Sequence, residues 1–386
     1  MTYLGSLFTG SLYALIVPNL GVFLADGLDA RPFLVGLFFV LMSLSSIAYA
    51  QLIGYWSDKG IDRKLLFLAG MIAGACSCFV FSVSRNYLVV LLAGMLLFSL
   101  SFASTAQILA LAREFADEHF EKTQNSLFNS IIRACVAIAW VAGPPFGFLL
   151  QKKLGYEQQY LVIGIAYLAV GIFAFFSLPQ VNKKIHDIVT SVPQRNTIIF
   201  LGLIAFSILN GTNQGYLIAL PLFLPEKFGI ESHYAGWLMG TAAFLEIPVM
   251  IFAGWLGSRI PLLRLMRWGG ISGIIMFTGL WFSSAYWQLF PLQIFNAIFI
   301  GFIAGLGMTW FQDLLPDKAG SASALYINCT SAGNVLGSLI VAIFADVWSY
   351  HSVFAANIGF SIIAVAILFY IGVLENPKKN NALEIS

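Results

Sequence analysis

Charged side chains are rare in the apolar stretches of this chain, so each one found there is a candidate for chemistry. Glu246 lies near the middle of an apolar stretch, residues 237–255, and is its only charged residue. An acid at membrane depth usually marks a substrate or proton pathway. Pro248, two residues on, removes a helix hydrogen-bond donor and favours a kink beside the acid. We expect Glu246 to accept a proton, with a purely structural ion pair as the alternative.

A cation, Arg133, lies in a second apolar stretch. A helix places four side chains of that stretch on one face, since they follow at spacings of four, four and seven residues: Asn125, Asn129, Arg133 and Trp140. A cation at this depth should face a cavity and meet an acid or a ligand oxygen. Trp140 has a flat face that can stack on a ligand ring, although such residues also serve only in packing. We predict that Asn129, Arg133 and Trp140 bind ligand. Arg133 is also the predicted ion-pair partner of Glu246.

Amides form two further polar patches. Asn210, Asn213 and Gln214 fall within one helical turn, and Gln293 and Asn296 fall within another. Because amides both donate and accept hydrogen bonds, they suit neutral, hydroxyl-rich ligands. We predict that these five residues, together with Glu246, contribute to a ligand site, although amides also bond one helix to another.

Composition indicates the elements that must position these groups. The chain has 386 residues, of which 59% are hydrophobic and 10% charged, with a net charge of +2. Water-soluble chains carry about 25% charged residues, so this composition indicates a multi-pass membrane protein and gives no sign of nucleic-acid binding. A span needs about 20 apolar residues. On that criterion an all-α fold with twelve membrane-spanning helices is predicted, at 3–25, 33–54, 65–84, 87–111, 125–150, 160–178, 197–221, 233–256, 266–284, 287–311, 320–345 and 352–374.

Basic residues predict the orientation. With both termini in the cytoplasm, the inner loops hold 14 Lys and Arg residues and the outer loops five. Such an excess is typical of cytoplasmic loops. The inner connection 179–196 divides the chain into a six-helix half at 1–178 and a second half at 197–386, which ends in a short cytoplasmic tail. The halves echo each other about 200 residues apart, as internal repeats of transporters do.

Two motifs carry a family resemblance. The loop from Gly54 through Asp58 to Arg63 resembles the signature between helices two and three of major facilitator transporters, although Gly60 comes one residue early and Asp62 is extra. Gly54 would allow two helices to approach closely, and Asp58 and Arg63 would hold an inner gate in one state. The run Gly143-Pro144-Pro145-Phe146-Gly147 resembles a signature of proton-coupled exporters of that superfamily. We therefore predict gating roles for Gly143, Pro144 and Gly147, with a simple kink as the alternative.

Further segments resemble the bacterial sugar efflux transporter family over nearly the whole chain. These segments are 107–114, 132–134 with 139–140 and 143–145, 240–248, and the tenth apolar stretch through Gly320. The resemblance implies a multi-pass protein of the bacterial inner membrane that exports small sugars or glycosides, driven by protons, without a cofactor or metal. We also expect a monomer. A proton-coupled multidrug exporter of the same superfamily is the alternative. An enzyme is not expected, because the four histidines are scattered and no hydrolase or phosphate-binding motif appears.

Overall fold

The computed structural model describes residues 2–107, 111, 122–177, 196–315 and 319–375. All regular secondary structure within those ranges is helical. The helices are α1 Thr2–Val22, α2 Pro32–Asp58, α3 Arg63–Val83, α4 Tyr87–Gln107, α5 residues 122–154, α6 residues 156–177, α7 Asn196–Phe228, α8 Tyr234–Gly257, α9 Leu262–Phe282, α10 Leu289–Leu314, α11 Ala319–Ile340 and α12 Tyr350–Glu375.

The twelve helices confirm the predicted all-α fold. Ten helical segments in the described ranges are long and apolar enough to cross a membrane. One of them, Ala137–Ser177, holds the second part of α5 and all of α6, and Gly155 separates these two helices with φ 74° and ψ 172°. Only glycine takes such a conformation readily. The helix that is not among the ten segments is α9, Leu262–Phe282, whose first two turns carry Arg264 and Arg267.

Several helix limits differ from the prediction. α7 continues to Phe228 instead of ending at 221, and the next residue, Gly229, has φ +64°. A glycine in the left-handed conformation is a common helix stop, so the stop lies at Gly229 and not where the apolar residues end. α9 begins at Leu262 instead of 266, directly after Pro261. The apolar criterion misses these ends because helices extend past the apolar core.

Contacts group the chain into two compact units. The first is Met1–Asp187 with Gly229–Phe244, and the second is Ile188–Phe228 with Leu245–Ser386. In the first unit α1 packs against the α5–α6 segment, as does α3. In the second unit α7 packs against α11 and α12, and α9 packs against α10 and α12. The two units thus repeat one packing pattern six helices apart. The predicted domain limits at 178 and 197 stay a prediction.

Residues at the ends of α7, α9 and α12 form a polar cluster in the second unit. Lys227 Nζ donates to the Trp281 carbonyl at 2.8 Å and lies 3.0 Å from His351 Nε2. The His351 ring stacks on Trp281 at 4.0 Å, and Glu226 accepts from the Tyr350 amide at 3.0 Å. The apolar criterion places Lys227 in an outer loop. It lies inside α7, where the cluster fastens three helix ends together.

A surface ion pair ties α5 to the turn before α8 within the first unit. Lys152 Nζ and Glu231 Oε2 are 2.9 Å apart, and His233 Nδ1 lies 2.9 Å from the same oxygen. The bond from Lys152, followed by the charges of Lys152 and His233, lowers the pKa of Glu231. Exposed pairs of this kind contribute little to stability.

We expect a small, pH-dependent loss of thermal stability in Lys152→Gln. Because the pKa of Glu231 is lowered in the folded protein, the stabilisation is present above its ordinary pKa and disappears as the pH falls through the lowered value. The difference in Tm between wild type and Lys152→Gln should therefore shrink on acidification. Lys153→Gln, one residue on, is the control and should match wild type. An equal effect of both variants would show that the ion pair contributes nothing.

Candidate functional site

Glu246 lies in α8 and is half-buried. Within the described part of the chain, no hydrogen bond or ion pair involves its carboxylate. The predicted partner Arg133 lies in α5, and its side chain is outside the described residues, as are those of Asn125 and Asn129. The Glu246–Arg133 pair therefore stays a prediction.

The helix that carries Glu246 divides its contacts between the two units. Its first half packs closely on α5. A Cβ atom added to Gly236, which has none, would lie only 2.9 Å from the Pro144 carbonyl oxygen. Its second half packs on α10, since a Cβ at Gly301 would lie 2.7 Å from Val249 Cγ1. The change falls between Phe244 and Leu245. Glu246 is thus the second residue of α8 that belongs to the second unit.

The predicted amide patch on α7 lies partly against α11. A Cβ at Gly333 would come within 2.5 Å of Asn210 Cβ, and one at Gly337 within 2.8 Å of Gln214 Cβ. Asn210 also donates to the Phe206 carbonyl at 2.8 Å. All three amide side chains of the patch are half-buried. The two glycines therefore allow α11 to approach α7 closely beside polar side chains.

Gln293 and Asn296 are buried and bond within the protein, and their predicted contribution to a ligand site stays a prediction. Their side chains are 0% and 3% exposed. Gln293 Oε1 accepts from Tyr216 Oη at 3.0 Å and from Asn296 Nδ2 at 3.1 Å, while Gln293 Nε2 donates to the Leu289 carbonyl at 3.0 Å. The amides bond α10 to α7, as buried polar groups generally find partners. Among the described residues, no donor lies within hydrogen-bond distance of Asn296 Oδ1, a buried atom of this network.

Tyr216 is a member of this network that the sequence pattern does not indicate. It lies two residues beyond Gln214 and so falls off the predicted polar face, yet its hydroxyl joins the network while its ring is buried. A buried tyrosine hydroxyl needs a partner, which is the signal that was available.

We expect Tyr216→Phe to lower the free energy of unfolding by about 1 kcal/mol, because Gln293 Oε1 loses one of two donors in a buried setting. Thermal unfolding of the purified protein measures the change. Tyr370→Phe, at a residue 55% exposed on α12, is the matched control. If the two variants unfold alike, the network does not stabilise the helix pair.

Trp140 is half-buried and belongs to an aromatic cluster of the first unit. Its ring meets Tyr13 edge-on with centroids 6.1 Å apart, and Tyr13 stacks on Phe102 at 4.6 Å. The cluster fixes the orientation of the indole. The predicted stacking of Trp140 on a ligand stays a prediction.

The glycines of the fifth helix pack on α1. A Cβ at Gly143 would lie 2.4 Å from Ala14 Cβ, and one at Gly147 would lie 2.4 Å from the Leu15 carbonyl oxygen. Pro144 and Pro145 face the first half of α8 instead, at Gly236 and Gly240. The motif therefore presents small residues to α1 and prolines to α8. The gating roles of Gly143, Pro144 and Gly147 stay predictions.

The loop between α2 and α3 agrees with the prediction only in part. A Cβ at Gly54 would meet no atom within 4 Å, so the expected close helix contact at Gly54 is absent from the described residues. The side chain of Asp58 lies outside those residues. Arg63 Nη1 donates to Gln107 Oε1 at 3.0 Å and so joins α3 to α4. The extra Asp62 caps α3, because its carboxylate accepts from the Lys64 amide at 2.8 Å.

Comparison with known proteins places the chain in a family. Residues 2–199 and 197–385 each match the Major Facilitator Superfamily. The chain is 39% identical over 363 residues to sugar efflux transporter A of Dickeya chrysanthemi, covering 93% of this chain and 90% of that one. It is 35% identical over 370 residues to sugar efflux transporter C of Escherichia coli, covering 94% and 93%.

A likeness in fold extends to solved structures. A crystal structure of a point mutant of the nucleoside transporter NupG superposes with a TM-score of 0.82 at 14% identity, over 96% of this chain and 98% of that one. At that identity the likeness concerns the fold alone. The helix pattern and the sequence matches identify a multi-pass membrane protein, and the relatives are transporters rather than enzymes. The chain belongs to the sugar efflux transporter family of the Major Facilitator Superfamily.

Proposed function

We propose that this protein exports small sugars or glycosides across the bacterial inner membrane, in exchange for protons and by alternating access. The observation that carries the proposal is the whole-length similarity to the sugar efflux transporters. Two repeated halves of six helices, as predicted from the sequence, are the layout in which alternating access occurs in such carriers.

The sugar site is proposed to draw on the polar and aromatic residues predicted from the sequence. Asn213 and Gln214 on α7 offer amides that donate to and accept from hydroxyl groups. Trp140 offers a flat apolar face for a sugar ring. Asn129 and Arg133 are also proposed to bind the sugar, on the basis of their positions in the sequence alone. Gln293 and Asn296 are proposed to act behind the site, since their amides already bond within the protein.

Proton coupling is assigned to Glu246. This carboxylate lies in a membrane helix and is adjacent to the change in contacts from one unit to the other. Protonation removes its charge, and loss of a charge changes which arrangement of the surrounding helices has the lower free energy. Arg133 is proposed as the cation that pairs with the ionised form.

A panel of transported compounds tests the substrate class. Radiolabelled lactose, glucose and thiogalactosides should leave preloaded proteoliposomes faster than liposomes without protein. The alternative, a proton-coupled multidrug exporter, predicts instead that lipophilic cations are exported and that the sugars are not. Cross-linking in native membranes tests the expected monomer.

A further inference from the structure

An aromatic cluster holds the ring of Tyr13, a residue of α1, against two other helices of the first unit. The ring stacks on Phe102 of α4 with centroids 4.6 Å apart and meets Trp140 of α5 edge-on at 6.1 Å. Ala14, the next residue, packs directly against Gly143, which lies three residues after Trp140. These contacts fix the Tyr13 ring beside the predicted ligand-binding face of α5.

The hydroxyl group of Tyr13 takes no part in this packing. Other tyrosines use their hydroxyls within the protein, as Tyr87 does when it donates to the Leu34 carbonyl at 2.8 Å. Tyr216 donates to Gln293 at 3.0 Å. Within the described ranges, no hydrogen bond involves the Tyr13 hydroxyl, and its oxygen is not one of the enclosed polar atoms that have no partner there. The ring is therefore packed in the protein, whereas the hydroxyl oxygen is accessible from outside it.

The depth of Tyr13 restricts what can meet this oxygen. The helix α1 is long and apolar enough to cross a membrane, and Tyr13 lies near its middle. Hydrocarbon offers no hydrogen-bond partner, so a hydroxyl that faced lipid at this depth would stay unpaired at a cost in free energy. The accessible oxygen should therefore face a watery cavity or a ligand.

We propose that Tyr13 is a specificity-determining residue of the sugar site, where its hydroxyl forms a hydrogen bond with one hydroxyl group of the sugar. This role rests on the proposed export of sugars. A tyrosine hydroxyl both donates and accepts, as a sugar hydroxyl does, so the two can pair in either direction. The neighbouring indole of Trp140 offers an apolar surface that complements a sugar ring. A site that pairs a ligand hydroxyl discriminates against analogues without it, because its own polar group is then left unpaired.

Equilibrium binding to the purified full-length protein in detergent tests the proposal. Lactose, glucose and isopropyl thiogalactoside are the probes, and the tightest binder is then compared with its monodeoxy analogues. We expect Tyr13→Phe to bind the parent sugar about fivefold more weakly than wild type, since one neutral hydrogen bond is lost. One monodeoxy analogue should show the same loss in wild type, and it should bind wild type and Tyr13→Phe equally well.

Tyr87→Phe is the matched control, because it removes a hydroxyl that bonds within the protein. It should lower Tm and keep the wild-type affinity for sugar, whereas Tyr13→Phe should keep the wild-type Tm and lose affinity. Unchanged affinity in Tyr13→Phe, or the same loss for the parent sugar and for every monodeoxy analogue, would overturn the role of Tyr13 while sugar binding stands. If none of the probes binds to wild type, the proposed export of sugars fails and the role of Tyr13 fails with it.

Discussion

Glu246→Gln is expected to lose the acceleration of sugar efflux by a proton gradient, while downhill sugar exchange continues. Glutamine keeps the size of the side chain and its ability to form hydrogen bonds but cannot take up a proton. The variant should therefore resemble the protonated state permanently. In proteoliposomes, its efflux rate with a gradient should fall to the rate measured without one, and exchange of labelled for unlabelled sugar should persist.

The matched control for this variant is Glu157→Gln, at an exposed acid near the start of α6. It should keep gradient-driven efflux. Gradient-driven efflux that survives in Glu246→Gln would remove Glu246 from the coupling mechanism. Arg133→Lys separates the two remaining explanations. If the Glu246–Arg133 pair forms and breaks during transport, Arg133→Lys should shift the pH dependence of transport. If the pair is a permanent salt bridge, Arg133→Lys should lower protein yield and stability and leave the pH dependence unchanged.

Gly337→Ala is expected to destabilise the second unit strongly. An added Cβ would lie 2.2 Å from the Gly211 carbonyl oxygen and 2.8 Å from the Gly215 amide nitrogen, both in the backbone of α7. Backbone atoms cannot rotate away, so α7 and α11 must separate, and overpacking of this kind costs about 1–3 kcal/mol. The separation would also move Gln214, so sugar efflux should fall together with Tm.

Gly359→Ala is the control for helix propensity. It lies in α12, and an added Cβ there would meet no atom within 4 Å. Because alanine favours a helix over glycine by about 1 kcal/mol, this variant should be as stable as wild type or slightly more stable. Equal Tm values for the two alanine variants would show that α7 and α11 are not in close backbone contact at Gly337.

Much of the fold was predictable because membrane helices are defined locally. An apolar stretch of about 20 residues must form a helix in a bilayer, so counting such stretches predicts twelve helices. Gly143 and Gly147 also have a spacing that is visible in the sequence, because small residues four apart allow helices to approach. Helix ends were less predictable. The end of α7 depends on Gly229, and the start of α3 depends on the Asp62 cap, neither of which changes the count of apolar residues.

Contacts between distant residues were the least predictable part of the site. The sequence places Gln293 and Asn296 one turn apart. A buried Tyr216 hydroxyl was expected to need a partner, but the sequence does not indicate that this partner is Gln293, 77 residues away. The same holds for Lys227 and His351, which are 124 residues apart and lie 3.0 Å from each other at their nitrogen atoms. Local spacing indicates the face of a helix, whereas the partner depends on how helices are arranged in three dimensions.

The most direct test of proton-coupled sugar export is efflux from proteoliposomes loaded with a radiolabelled sugar. We predict that an inward proton gradient accelerates efflux through the wild-type protein and that a protonophore abolishes the acceleration. Efflux at the same rate with and without the gradient would contradict proton coupling, and a rate no faster than that of protein-free liposomes for every sugar tested would contradict sugar export itself.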